Sequence, residues 1–272
     1  MLETGGSMRR PTTSLLTMQL ETVGEIVRIL RSRLDLEQVE LARACGWKDA
    51  SAVSRIETDR IRPTRRTLLK LAENLANPAV TGTPAEVRAW LFLAAGILPT
   101  AREVDELGER IPDIESLPHP ASVMDFGWNL WRANEWLRKG AGLPERHIGR
   151  NYVELWFEED GSVRKHFGEL WFELASVLVG QFREDTVNRS EQRWYGKLLA
   201  TLRPLPDFEA IWDGARSTDV NEVGWSHTSL EGGMIGAVRS PLTADPRLIV
   251  GHILPENPDG RDQMLKLGGL RE

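Results

Sequence analysis

Four short runs of apolar residues at helical spacing, separated by abrupt breaks, occupy residues 23–75. In the first run the apolar positions are Val23, Ile26, Val27 and Leu30, which recur at the three- and four-residue intervals of one helix face. Gly46 suits the turn that ends the second helix, and Pro63 breaks the chain before the fourth. This pattern predicts a small all-α domain.

The third run has the most distinctive surface of the four. Asp49 can cap a helix over residues 50–57, which turns Val53 and Ile56 toward the core. The side chains between them are small or polar and face outward. The sequence therefore predicts a short helix with a narrow, uncluttered outer face.

The motifs of this region resemble the helix-turn-helix of the XRE, or lambda-repressor-like, family. The stretch that carries the resemblance reads LEQVELARACGWKDASAVSRIETDRIRPTRRTLLKLAENLA, and the match extends over about residues 20–77. Two features depart from the family pattern: an apparent extra residue in the turn, and Asp59 where such proteins often have glycine. The resemblance implies that this domain binds an operator in double-stranded DNA.

We expect the third helix to read bases, because a major groove about 12 Å wide accepts a helix whose leading side chains are short. Arg55 is the best candidate for a bidentate contact with guanine; alternatively it is a solvated residue or the partner of Glu57. The predicted base readers are Ala50, Ser51, Ser54 and Arg55, and the predicted phosphate contacts are Gln38, Lys48, Arg60 and Arg62, with Arg65 and Arg66 as additions. One such domain contacts few base pairs, so we expect a homodimer on a palindromic operator with half-sites roughly 34 Å apart.

Length and charge place further limits on the chain. A length of 272 residues fits two modest domains. The net charge of −6 divides into +3 for residues 1–77 and −9 for the remainder, so the basic part is N-terminal. No apolar run approaches the roughly 18 residues of a membrane span, and the single cysteine, Cys45, cannot form an internal disulfide. We expect a buried thiol, no membrane association and a cytoplasmic location.

The remaining sequence predicts an α+β chain. The polar, irregular opening suggests a disordered lead-in at 1–19, and the proline-punctuated IPDIESLPHP marks the main domain boundary. The predicted organisation is a helix-turn-helix domain at 20–78, a helical connector at 79–117, a sensor domain at 118–258 and a C-terminal tail at 259–272. The sensor opens with a hairpin of strands at 121–124 and 128–133, after which Asn134 caps the first of several helices. Three strands close the domain. This order predicts an antiparallel sheet covered by helices on one side.

The second half resembles a PAS-like sensor, and more closely the MmyB-like ligand-binding domain found behind XRE helix-turn-helix units in bacterial regulators. The carrying residues are LPHPASVMD, then Trp128-Asn129-Leu130 with Asn134, Trp171 followed by Arg183, and PDFEAIW before the final strands, over roughly residues 110–258. The resemblance implies a hydrophobic cavity between sheet and helices that holds a fatty acid or a similar lipid-like ligand. No other cofactor is expected.

Eight of the ten tryptophans lie between Trp128 and Trp225, so the second domain is rich in large apolar rings. Aromatic walls with a few polar anchors suit a small-molecule pocket, and they also suit an ordinary core. An anionic head group would need a cation, for which Arg132 and Arg183 are the candidates. The predicted ligand contacts are Trp128, Leu130, Arg132, Trp136, Trp171, Arg183 and Trp212.

Two other functions stay open, whereas an enzyme has little support. No Ser/His/Asp arrangement, Gly-rich phosphate loop, HExxH or CxxC motif is present, so no catalytic residues are expected. The five histidines are scattered and predict no metal site. In one alternative the PAS-like domain is a haem or flavin sensor, with His166 or His227 as haem ligands. In the other, the C-terminal domain binds a protein subunit and no small ligand.

Overall fold

The computed structural model describes residues 22–158, 161–214, 225–230 and 233–270. The N-terminal domain consists of α1 (Val23–Arg33), α2 (Gln38–Ala44), α3 (Ser51–Glu57) and α4 (Arg65–Leu75). The predicted Thr64 cap is present, since its hydroxyl accepts the Thr67 N–H. Asp49 is not the N-cap of α3, a position that Ala50 occupies, but its carboxylate accepts the Ser51 N–H at 2.7 Å just before the helix. Gly46 has φ +70°, the left-handed conformation that lets a glycine end α2.

The apolar faces of these four helices share one core, as predicted. Its fully buried members include Val27, Leu41, Val53 and Leu68. Cys45 is also buried there, and burial raises the pKa of its thiol to about 11. The thiol is therefore protonated at neutral pH and acts as a small apolar side chain.

Two helices connect this domain to the rest of the chain. They are α5 (Pro84–Ala94) and α6 (Ala101–Asp105), followed by a 3₁₀ turn at Gly108–Arg110. Each begins with a capping box, formed by Thr83 and Glu86 in α5 and by Thr100 and Glu103 in α6. Because Val87, Leu91 and Phe92 pack into the N-terminal core, α5 extends that domain.

The C-terminal domain is built on a five-stranded antiparallel sheet in the order β2-β1-β5-β4-β3. The strands are β1 (Ala121–Asp125), β2 (Leu130–Ala133), β3 (Trp225–Leu230), β4 (Gly233–Leu242) and β5 (Asp245–Pro255). The helices are α7 (Glu135–Gly140), α8 (Tyr152–Trp156), α9 (Ser162–Phe167), α10 (Trp171–Thr186), α11 (Arg193–Leu202), α12 (Phe208–Gly214) and α13 (Pro258–Lys266), with 3₁₀ turns at Gly168–Leu170 and Val187–Arg189. The predicted α+β fold is confirmed.

The turn of the first hairpin is longer than the sequence predicts, because residues 126–129 connect β1 and β2. The buried Asp125 carboxylate accepts the N–H groups of Gly127 and Asn129 at 2.9 and 3.0 Å. Burial raises the pKa of Asp125 to about 6, against the lowering effect of these hydrogen bonds. Trp128 takes φ +66° in this turn, so β2 begins at Leu130 rather than at Trp128.

Both faces of the sheet are covered, because its residues alternate between two packed layers. Register pairs Val123 with Val250 on one face and Ser122 with Gly251 on the other. The Val123 face packs against Val104 and other apolar residues of the connector. The Ser122 face looks toward α8 and α10. The helices of the C-terminal domain therefore lie on one side, as expected, while the connector covers the opposite side.

The segment for which the sequence predicts a tail holds α13. Asn257 caps this helix by accepting the Gly260 N–H at 2.7 Å, and Pro258 occupies its first turn. Met264, within this helix, is buried. The cap and the buried methionine together explain why these residues form a helix packed on the domain.

Candidate functional site

The predicted base readers share one surface of α3. Ser51 and Arg55 are exposed, whereas Ala50 and Ser54 are partly buried. Ser51, Ser54 and Arg55 stand three and four residues apart, which puts them on the same helix face. Arg55 Nε donates to the Ser51 carbonyl oxygen at 3.2 Å, so its guanidinium lies along this surface.

Glu57 is the partner of Arg31 and not of Arg55. Arg31 Nε lies 2.6 Å from Glu57 Oε1, and Arg31 Nη2 lies 3.1 Å from Oε2. Gln38 Nε2 donates to the same Oε2 at 2.7 Å. The Glu57 side chain is only 4% exposed, so this ion pair joins α1 and α3 in a partly dry environment. Sequence reasoning missed Arg31. The available signal was Glu57, which directly follows the inward-facing Ile56, because a buried carboxylate needs a cationic partner.

The predicted phosphate contacts surround α3 but differ in whether another side chain already binds them. Lys48 and Arg60 are exposed. Arg62 is exposed as well and forms an ion pair with Glu191 of the C-terminal domain. Arg65 is bound to Glu103 at 2.7 Å, which turns it toward the connector.

A cavity of about 210 Å³ lies between the sheet and the helices of the C-terminal domain. The sheet contributes Ser122, Met124, Ile235, Ala237, Arg239 and Ile253, α8 contributes Tyr152 and Trp156, and α10 contributes Leu174, Val177, Leu178 and Gln181. Met264 and Leu267 of the C-terminal segment close one side. The lining is therefore mainly apolar. Burial raises the pKa of Tyr152 to about 12, so its hydroxyl stays neutral.

Of the seven predicted ligand contacts, Trp128 lines this cavity. Leu130 and Trp171 are buried in the adjoining core, where the Trp171 indole N–H donates to the Trp156 carbonyl oxygen at 3.0 Å. Trp136 is partly buried, with Lys139 Nζ 5.9 Å from its ring centroid. These residues support the domain without facing the cavity.

The two predicted cationic anchors point elsewhere. Arg132 pairs in register with Val123, so it lies on the opposite face of the sheet, in a separate cleft that Glu115 and His147 also line. Arg183 donates to the Trp212 carbonyl oxygen at 2.6 Å and lies over the Trp212 ring. Trp212 packs against the core from α12.

The cation at this cavity is Arg239, which sequence reasoning missed. It follows Ile235 and Ala237 at two-residue spacing on β4, and all three line the cavity. Arg239 is bound to Asp185 of α10, and its guanidinium lies 5.7 Å from the Trp128 ring centroid. The period-two pattern of β4 was the available signal, since an arginine in phase with apolar residues shares their face.

The histidines form no metal site in the described residues. His166 Nε2 is hydrogen-bonded to the Gly140 carbonyl oxygen at 3.0 Å. His119 Nε2 and His252 Nδ1 are 3.1 Å apart and share a hydrogen bond. The side chain of His227 lies outside the described part of the chain. Among the described helices, none has both the length and the apolar content to cross a membrane.

A helix-turn-helix domain joined to a domain with an apolar cavity defines a class, the DNA-binding transcription regulators that carry a ligand-binding domain. The comparisons agree with this class. Residues 22–90 match the helix-turn-helix domain family, and residues 114–259 match the family described as the MmyB-like transcription regulator ligand binding domain. The second match covers more than half of the chain, which therefore belongs to the MmyB-like transcription regulators. A search of curated proteins found no match.

Proposed function

We propose that this regulator binds a palindromic operator as a homodimer and that a small hydrophobic, fatty-acid-like ligand in the C-terminal cavity modulates operator binding. The observation that carries the proposal is the apolar cavity with Arg239 in its lining. An alkyl chain would contact Met124, Leu178 and Ile253, and a polar head group would lie toward Arg239. PAS-like architecture is part of the same proposal.

The cavity volume limits the ligand. At about 210 Å³ the cavity is smaller than most ligand pockets, which span about 300–1,000 Å³. It is larger than a cavity of about 150 Å³ that accepts benzene. We therefore expect a medium-length alkyl chain to fit without rearrangement, and a longer chain to require the wall formed by Met264 and Leu267 to move.

The DNA-binding part of the proposal rests on the exposed face of α3. Ser51, Ser54 and Arg55 are available for base contacts, and Arg60 lies nearby for a phosphate. The observed position of Gln38, bound to Glu57, favours a role in holding α2 against α3.

No specific observation favours a haem or flavin sensor. His166, one of the two candidate haem ligands, already binds the Gly140 carbonyl oxygen and is outside the cavity lining in the described residues. A ligand-free protein-interaction domain is the remaining alternative. It predicts that no small apolar molecule binds the cavity.

The test is calorimetric titration of the purified protein with straight-chain carboxylic acids of increasing length. We expect saturable binding that is strongest at medium length. Ala237→Phe fills the cavity from β4 and should weaken binding at least ten-fold. Ala200→Phe adds the same side chain to the exposed side of α11 and is the matched control. Two results together would contradict the proposal. The wild-type protein would bind none of the acids, and native mass spectrometry of protein purified from its host would detect no bound apolar ligand.

A further inference from the structure

One protein carboxylate satisfies two donors beside the cavity. The Trp128 indole N–H donates to Asp185 Oδ2 at 2.9 Å, and Arg239 binds both oxygens of the same carboxylate, with Nη2 at 3.2 Å from Oδ1. Trp128 and Arg239 both line the cavity, whereas Asp185 is not part of the lining. The two donors therefore form an anion-binding site that the Asp185 carboxylate occupies.

The same helix supplies the cavity wall and this carboxylate. Leu174, Val177, Leu178 and Gln181 line the cavity at the spacing of one helix face. Asp185 follows Gln181 by four residues, so it stands one turn further along that face. A ligand whose chain lies against α10 would bring its head group to Asp185 and Arg239.

We propose that an anionic head group replaces Asp185 as the partner of Arg239 and Trp128, and that the release of Asp185 loosens the contacts between the following segment and the DNA-binding domain. The proposal rests on the proposed ligand-binding function. The exchange substitutes one carboxylate for another, so the charge-assisted hydrogen bonds of Arg239 and the hydrogen bond of Trp128 are all preserved. A neutral head group cannot replace the Asp185 carboxylate, so Arg239 keeps Asp185 as its partner.

The segment after Asp185 reaches the DNA-binding side within a few residues. Arg189 Nη1 donates to the Leu93 carbonyl oxygen at 3.1 Å, at the end of α5. Glu191 then pairs with Arg62, one of the predicted phosphate contacts. A shift at the end of α10 therefore bears on a residue that DNA would otherwise use.

The first test compares octanoate with 1-octanol at pH 7.5 by calorimetry, on the wild-type protein, Arg239→Gln and Asp185→Asn. Asp185→Asn keeps an acceptor for the Trp128 indole and removes the competing charge. We expect the wild type to prefer octanoate by about ten-fold or more, in line with a charge-assisted hydrogen bond. Arg239→Gln should abolish this preference, and Asp185→Asn should increase it. Circular dichroism and thermal unfolding establish that both variants are folded.

The outcomes separate the two proposals. Equal affinity for octanoate and octanol in the wild type, unchanged by Arg239→Gln, would overturn the exchange while leaving the hydrophobic cavity function intact. Failure of both compounds, and of the longer acids, to bind would overturn the ligand-binding function and the exchange with it.

The second test addresses transmission to DNA. Without ligand, Asp185→Asn should shift operator affinity in the same direction as saturating octanoate does in the wild type. Glu169→Gln removes the same charge from an exposed position beside α10 and serves as the control. If ligand shifts the wild type but unliganded Asp185→Asn binds the operator like the wild type, the transmission step is wrong.

Discussion

Arg65 of α4 and Arg247 of β5 place their guanidinium groups over the same aromatic ring, that of Phe92, at 4.6 and 5.2 Å from its centroid. Glu103 joins them, with Oε1 2.7 Å from Arg65 Nη2 and Oε2 3.5 Å from Arg247 Nη1. Arg247 is fully buried and is also paired with Asp245. This cluster connects the sheet that lines the cavity with α4 of the helix-turn-helix domain.

Replacing Glu103 by Gln tests that connection. Arg247 would keep only Asp245 as an ionic partner, and Arg65 would lose its own. We expect the free energy of unfolding to fall by about 1.5–3 kcal/mol, the range for a hydrogen bond to a charged group. Urea unfolding measures the change. Glu106→Gln, which removes the exposed pair with Arg102, should have little effect; equal losses in both variants would contradict the role of Glu103.

The Arg31–Glu57 pair should be the main polar support of α3. Glu57→Ala leaves the Gln38 amide without its acceptor and leaves Arg31 with the Leu36 carbonyl oxygen at 2.6 Å but no carboxylate, in a partly buried site, so we expect a loss of roughly 3–5 kcal/mol in the free energy of unfolding. Hydrogen exchange of the α3 amides reports the effect on this domain directly. Glu73→Ala on the exposed side of α4 is the control. Unchanged α3 protection in Glu57→Ala would refute the assignment.

Sequence specificity should depend on Arg55 and general DNA affinity on Arg60. Arg55→Ala should lose about 1–3 kcal/mol of discrimination between the selected operator and a mutated one. Arg60→Ala should weaken both DNAs alike and reduce the slope of affinity against salt by about one. Binding-site selection followed by salt-dependent titration makes the comparison. Equal specificity in wild type and Arg55→Ala would exclude Arg55 as a base reader.

The His119–His252 pair predicts acid sensitivity. Burial lowers the pKa of both rings below the ordinary 6.5, and the neighbouring His252 lowers that of His119 further. Below pH 6.5 the unfolded chain therefore binds more protons than the folded chain. The folded protein is therefore expected to keep its full free energy of unfolding above pH 6.5, where both rings are neutral in either state, and to lose part of it as the pH falls below 6.5.

Thermal unfolding at pH 7.5 and 5.5 checks this sign. His252→Gln removes one titrating ring and keeps a hydrogen-bonding side chain, so its melting temperature should fall less between the two pH values than that of the wild type. Identical falls would show that the pair makes no contribution to acid sensitivity.

The sequence predicts the N-terminal domain well because its signals are local. The signals at the helix ends involve neighbours within three residues, as at Thr64, Asp49 and Gly46. Helical periodicity then defines the buried face. The cavity was harder to predict. Abundant tryptophan does not distinguish a cavity wall from a core, so the sequence predicts a ligand contact at Trp171, which is buried in the core outside the cavity lining. The two-residue spacing from Ile235 and Ala237 predicts that Arg239 shares their face of β4, but which face lines the cavity depends on the pairing of β4 with β5, which is a long-range feature.

Operator affinity measured with and without ligand tests the central claim most directly. A ligand can regulate DNA binding only if its affinity differs between the free and DNA-bound protein, and linkage requires the same factor in both directions. We predict that saturating octanoate changes the operator Kd by at least about five-fold, the lower end of typical coupling, and that the operator changes the octanoate Kd by the same factor. An operator Kd that is identical with and without bound octanoate would contradict the account.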